Sequence, residues 1–326
     1  MGSFYARICA QMVGVEVVAL CDVSRETVES LANELGVAAY PAADYRQMLK
    51  EHHEIDAVLV CTREDSHRDP SLAALEANKH LMVEKPLATN VDDAKAIFEA
   101  AQSRPGLVTM MAHTLRFDPR YSKMKDAVAR KEIGELICLY GRRTPPYAAL
   151  ERIHGRVALP FWVGIHDVDM MRWVACSEVA RVFAVSSQGN FENRSIKSVI
   201  ISLLTFENGV VAALENAWGP ACNTESQQST AFFRAQGTRG VIEVKNFDQG
   251  IAIHRDRGVI FPDTVYMPNS YGRIAGVYTD QIAYFINCIR LGTASEIQLE
   301  DGVRSVIVAE AIIRSADSGK EVILSA

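Results

Sequence analysis

The feature that most constrains this chain is a change of hydrophobic period, repeated along its first 115 residues. Short apolar runs that read as buried strands alternate with amphipathic stretches that read as helices. Glu16–Cys21 (EVVALC) ends at Asp22 and is followed by a helical pattern over Arg25–Leu35, with Ser24 as N-cap and Gly36 as terminator. Tyr45–Lys50 reads as a short helix and Asp56–Cys61 (DAVLVC) as a strand. Helix Pro70–Ala77, strand His80–Glu84, helix Val91–Ala101 and strand Leu107–Ala112 follow. Strands apolar along their whole length, each separated from the next by a helix, imply parallel pairing through right-handed crossovers, with both sheet faces covered.

After Arg116 the pattern changes. Tyr121–Ala129 reads as a helix, Leu136–Arg143 as a strand and Asp167–Val174 as a helix. Strand-like runs then follow closely: Val179–Ser187, Ser195–Phe206, Val210–Trp218, Thr230–Gln236 and Gly240–Val244. Glu207-Asn208-Gly209 between two of them is a hairpin signal, because Asn-Gly accommodates positive φ. Helices over Tyr278–Arg290 and Asp301–Ser315 close the chain. The expected fold class is therefore α/β, with two domains. Residues 1–115 form a Rossmann-type parallel sheet, and residues 116–326 an α+β domain with a mainly antiparallel open sheet.

Composition narrows the function classes. The 34 basic and 40 acidic residues are interspersed and leave a net charge of −6, which is no footprint for nucleic acid or an anionic membrane. No apolar run reaches the ~18 residues that span a bilayer, and the N-terminus lacks the pattern of a secretory signal. Seven scattered cysteines (Cys9, Cys21, Cys61, Cys138, Cys176, Cys222 and Cys288), with no C-x-x-C, read as free thiols of a cytoplasmic protein. His52, His53, His80, His154 and His254 have no metal-ligand spacing, so no metal site is expected.

A dinucleotide site needs a strand, a G-x-G-x-x-G turn, a helix N-terminus for the pyrophosphate and an acid about 20 residues on. Here Met1-Gly2-Ser3 leads directly into a helical pattern over Phe4–Met12, and Asp22 lies twenty positions after Gly2. The spacing fits Gly2 as the third glycine of the fingerprint, with the first strand and two glycines expected upstream and absent here. Asp22 suits the ribose of NAD, since a 2′-phosphate would meet a like charge; Ser24 and Arg25 leave NADP open as an alternative.

Glu84-Lys85-Pro86 ends one predicted strand, Thr62-Arg63-Glu64-Asp65-Ser66-His67 ends the one before it, and Arg116-Phe117-Asp118-Pro119 follows the last. Together with His166-Asp167-Val168-Asp169, this ordered set resembles the Gfo/Idh/MocA family of NAD(P)-dependent oxidoreductases over nearly the whole chain. The resemblance implies that Lys85 sits beside the nicotinamide and stabilises alkoxide character at the reacting carbon, and that His166 is the general acid/base. Gly2, Asp22, Thr62, His67, Glu84 and Lys85 become the expected cofactor contacts. His113, Arg116, Asp167 and Asp169 become the expected substrate contacts. Two departures stand out. Arg63 replaces the proline of the family's turn between Thr62 and His67, and Trp162 stands where many polyol dehydrogenases of the family place an acid four residues before the histidine.

The activity so implied is hydride transfer between NAD and a CH–OH carbon of a polyol or sugar such as an inositol. Two alternatives share the fold: an NAD-dependent, redox-neutral glycoside hydrolase, and a non-enzymatic ligand sensor. The resemblance also implies a homodimer or homotetramer formed through the second domain, for which the sequence offers Trp218, Phe232 and Phe233 as candidate face residues. Specificity is expected from the loops between Arg143 and Phe161 and between Asn246 and Arg273.

Overall fold

The computed structural model describes residues 1–41, 44–153, 155–191, 194–219, 230–246, 249–256 and 258–324; His154 and Cys222 lie outside them. The chain begins with α1 (Gly2–Ala10), β1 (Ala19–Asp22), α2 (Arg25–Leu35), β2 (Ala38–Pro41), α3 (Tyr45–Glu51) and β3 (Ala57–Val60). It continues through α4 (Arg68–Glu76), β4 (His80–Val83), α5 (Val91–Gln102), β5 (Thr109–Met111), α6 (Pro119–Ala129), β6 (Leu136–Thr144), α7 (Tyr147–Ile153) and α8 (Ile165–Ala175). Five strands follow: β7 (Val179–Phe191), β8 (Arg194–Phe206), β9 (Val211–Ala217), β10 (Thr230–Gly237) and β11 (Val241–Lys245). Two small hairpins come next, β12 (Ile253–Arg255) with β13 (Gly258–Ile260) and β14 (Asn269–Ser270) with β15 (Arg273–Ile274). The end of the chain supplies α9 (Val277–Leu291), α10 (Leu299–Ser318) and β16 (Val322–Ile323).

Two compact units result: Met1–Thr114 with Tyr266–Val303, and Leu115–Val265 with Arg304–Ala326. The first break falls close to residue 115, but residues 266–303, which the sequence reading assigns to the second domain, belong with the first unit.

In the first unit β3, β4 and β5 form a parallel trio in the order β3-β4-β5, and β1 and β2 a parallel pair. Among the described residues no strand joins the pair to the trio. Ala19 and Cys21 from β1 and Val58 from β3 nevertheless pack on one apolar cluster of Met48, Leu49, Ile55 and Ala73. After His80 the central strand β4 is apolar because it is covered on both faces, and Leu81, Met82, Val83, Met110 and Met111 are buried. Local signals act as expected. Ser24 Oγ accepts the Thr27 N–H at 3.3 Å to cap α2, Gly36 ends it with φ +70°, and Asn90 Oδ1 caps α5 through the Asp93 N–H at 2.8 Å. The late segment is tied in by the Met111 N–H donating to the Ile297 carbonyl at 3.1 Å. At the start of α10, a β-carbon on Gly302 would stand 2.8 Å from Met111 Sδ and 3.0 Å from Leu87 Cβ.

The second unit is built on a seven-stranded sheet in the order β11-β10-β6-β9-β8-β7-β16. All its pairings are antiparallel except β6 with β9. The Asn-Gly turn between β8 and β9 forms, with Gly209 at φ +88°. One face is buried by α6, α8 and α10, with Phe233 against Tyr121 at 5.7 Å between ring centroids. The other face is open, and residues in register across it form two rows. One runs Val185, Ile201, Glu215, Arg142, Phe232 and Lys245; the next runs Phe183, Leu203, Ala213, Tyr140, Arg234 and Glu243. Phe183, Val185, Ile201 and Leu203 make its β7–β8 end apolar and exposed. Trp218 and Phe233 are core residues, contrary to the expectation that placed them on a face; only Phe232 points to the open side, beside Tyr140 at 5.9 Å.

Candidate functional site

In the first unit the expected cofactor residues gather at the carboxyl ends of the parallel strands, where ligands of open α/β sheets bind. Asp22 ends β1 and is exposed, with Oδ1 accepting the Ser24 N–H at 2.8 Å. Burial, followed by the charges of Asp22 and Asp44, pushes the neighbouring Cys21 thiol up to about 11. Gly2 opens α1, and a β-carbon there would lie 3.5 Å from Cys61 Cβ, an ordinary contact. An exposed carboxylate at a strand end can accept from ribose hydroxyls, and a helix opened by glycine can face a pyrophosphate, so Asp22 and Gly2 fit parts of a dinucleotide.

Thr62 follows β3, exposed, its hydroxyl donating to the Ser66 carbonyl at 3.0 Å. His67 is different: it is 1% exposed, and its ring lies between two main-chain carbonyls. Nδ1 is 2.7 Å from Pro86 O and Nε2 3.2 Å from Thr62 O, so the ring joins the turn after β3 to the turn after β4. Arg63, in the place of the family's proline, pairs with Asp65 at 2.6 Å on the surface.

The turn after β4 carries Lys85, half-buried, on a cis Lys85–Pro86 bond. Glu84 is buried beside it. Its Oε2 accepts the Lys85 backbone N–H at 2.9 Å, and its Oε1 accepts the Tyr5 hydroxyl at 2.5 Å. Gln281 of α9 donates through Nε2 to the Tyr5 oxygen at 3.1 Å. Burial, then the charge of Glu84, holds the Tyr5 hydroxyl well above the ordinary tyrosine range. His113 closes the series after β5, buried at 2% exposure.

In the second unit a π-helical turn, Pro160–Gly164, runs directly into α8. Such turns are frequent at functional sites because they re-aim the residues that follow. Gly164 is needed for its packing, since a β-carbon there would fall 2.4 Å from Asn216 Oδ1 on β9. Trp162 lies in this turn, under the Arg152 guanidinium at 5.9 Å. His166, half-buried, is the second residue of α8.

The two acids expected to hold substrate are each paired with an arginine. Asp167, 0% exposed, forms a bidentate pair with Arg143 of β6 at 2.8 Å through each oxygen. Asp169, 1% exposed, does the same with Arg116, at 3.0 and 2.6 Å. Arg116 also lies over the Trp173 ring at 5.7 Å. Planar, two-point pairing fixes both partners, so these four residues orient the first turn of α8. Sequence reasoning missed Arg143, Tyr5 and Gln281. Each meets its partner over 24 or more positions, across elements that no local spacing connects.

Two family profiles match the chain: the oxidoreductase family's NAD-binding Rossmann fold over residues 1–112, and the same family's C-terminal alpha/beta domain over residues 159–324. The chain is 27% identical over 319 residues to a 1,5-anhydro-D-fructose reductase of Ensifer adhaerens, covering 94% of this chain and 90% of that one. It is 25% identical to a myo-inositol 2-dehydrogenase of Thermotoga maritima, covering 99% and 95%. Its fold matches the crystal structure of a scyllo-inositol dehydrogenase from Lactobacillus casei with bound NAD(H) and scyllo-inositol. The TM-score is 0.82 at 19% identity, over 99% of this chain and 95% of the other.

Proposed function

This chain belongs to the Gfo/Idh/MocA family of NAD-binding oxidoreductases, and from that premise we propose that it moves a hydride between NAD and the CH–OH carbon of a polyol or sugar. Relatives named for inositols and for an anhydro-sugar support the substrate class. The observation that carries the reading is the Glu84-Lys85-Pro86 turn. It presents a cation at a strand's carboxyl end, on a backbone held by the Glu84 carboxylate and by His67.

Asp22 accepts the ribose hydroxyls and Gly2 admits the pyrophosphate to the start of α1; NAD supplies the hydride acceptor when bound. The Lys85 ammonium stabilises negative charge developing on the substrate oxygen. His166 takes the hydroxyl proton in oxidation and returns it in reduction, a task suited to an imidazole. Asp167, Asp169 and Arg116 hold the helix that carries His166. A carboxylate at position 22 favours NAD over NADP.

The test is NADH absorbance with myo-inositol, scyllo-inositol and related polyols as substrates. Lys85→Ala is expected to lower kcat by about 10²–10³-fold, and His166→Ala by about 10²–10⁴-fold with NAD binding retained. Full activity in either variant refutes its assigned role.

The same reading makes the protein a homo-oligomer of a reducing, cytoplasmic compartment. The exposed apolar end of the open sheet, from Phe183 to Leu203, supports the first part. Six described cysteines, all free thiols, support the second. Among the described residues no helix is long and apolar enough to cross a membrane.

A further inference from the structure

We propose that Tyr5 is a positioning residue for Lys85: by donating its hydroxyl to Glu84, it fixes the carboxylate that in turn holds the Lys85 main chain. The proposal rests on the reading of Lys85 as the cation at the reacting carbon.

The bonding leaves little freedom of direction. A carboxylate accepts only, so the Tyr5 O–H donates to Glu84 Oε1 at 2.5 Å. With its proton committed, the Tyr5 oxygen accepts, and the donor it finds is Gln281 Nε2 at 3.1 Å. The amide of Gln281 is thereby oriented, and its buried Oε1 meets no hydrogen-bond partner among the described residues. The relay ends at Glu84 Oε2, which accepts the Lys85 N–H at 2.9 Å. One α1 side chain and one α9 side chain therefore act on a backbone atom at the end of β4.

Packing fixes the tyrosine ring as firmly as bonding fixes its hydroxyl. Tyr5 is 1% exposed and sits against Tyr278 at 6.0 Å and Phe4 at 6.4 Å between ring centroids. A phenylalanine would keep this packing and lose only the hydroxyl, which isolates the relay. Small displacements at a reacting group are expensive: about 1 Å can lower a rate on the order of 10²-fold. A turn that carries the key cation gains most from such a brace.

The experiment uses the full chain in two arms. In the first, Tyr5→Phe is assayed with NAD and myo-inositol. We expect kcat to fall about tenfold with the KM for NAD nearly unchanged. In Tyr5→Phe/Glu84→Gln, kcat is expected to be no lower than in Glu84→Gln alone, because both act through one carboxylate. Tyr40→Phe removes a different Tyr–Glu bond of the same unit, to Glu51, and is expected to leave kcat unchanged. Additive losses, or an unaltered kcat in Tyr5→Phe, overturn the proposal. In the second arm, lysines are reductively methylated with ¹³C and the Lys85 signal is assigned through Lys85→Arg. Tyr5→Phe must move that signal while leaving Lys95 in place, and Gln281→Met must move it the same way by less. An unmoved Lys85 signal overturns the proposal whether or not the enzyme turns over. An active Lys85→Ala enzyme overturns instead the reading of Lys85 itself, so the two failures are distinct.

Discussion

Replacing Asp167 by alanine leaves the Arg143 guanidinium, only 5% exposed, without its counter-charge. Breaking a buried pair in this way costs about 3–5 kcal/mol, far more than losing an exposed pair such as Arg25–Glu29, so urea titration should show a large drop in midpoint. Alkaline pH provides a second handle. Burial raises Tyr121 from 10.0 to about 12 and Cys9 from 9.0 to about 11. Each group is neutral when protonated, and the unfolded chain releases its proton first as pH rises. Stability is therefore whole below pH 9, falls from 9 to 11 through Cys9, and falls from 10 to 12 through Tyr121, by about 2–3 kcal/mol each. Thermal midpoints measured across that range should decline, and Tyr121→Phe should make the later part shallower, with the raised Tyr5 still contributing to it. At this scale the sequence marks residues but not what they touch. Asp167 and Asp169 are conspicuous beside His166 in the chain, whereas the arginines that occupy them stand on other elements.

At the scale of elements, alternating and continuous apolar runs were legible because burial imposes them. The core of β3, β4, α5 and β8 follows directly from pattern, and caps such as Ser24, Gly36 and the Gly209 turn mark boundaries by local chemistry. The strand β2, AAYP, escaped notice because four residues ending in proline carry neither period nor length. Helix α7 follows Pro145-Pro146 and is one short stretch of seven residues. Some element junctions depend on contacts that pattern does not encode. At the bulge between β10 and β6, a β-carbon on Gly237 would stand 2.2 Å from the Ile133 carbonyl oxygen and 2.9 Å from its carbon. Backbone does not move aside as a side chain does, so Gly237→Ala should destabilise by about 1–3 kcal/mol in denaturant titration.

For the molecule as a whole, the proposed association of copies is tested on the open face of the seven-stranded sheet. Leu203, 56% exposed, lies at the centre of the apolar end, paired in register with Phe183 and next to Ala213. Leu203→Glu places a charge where association would bury it. Light scattering should then report the protomer mass in place of a multiple, with unfolding little changed, since surface substitutions away from strained or buried features shift stability by about 0.5 kcal/mol or less. Two domains were legible in the sequence because the hydrophobic grammar changes near residue 115. The return of residues 266–303 to the first unit was not, because α9 carries an ordinary amphipathic pattern with no mark of the partner it covers. That return has a consequence for the chain's birth. Both units draw on residues 266–326, so neither is whole when the ribosome has made everything before them. At about 5–20 residues per second the wait is several seconds. During it the nascent protein holds two unfinished cores at once, and a translational stop anywhere in α9 strands both.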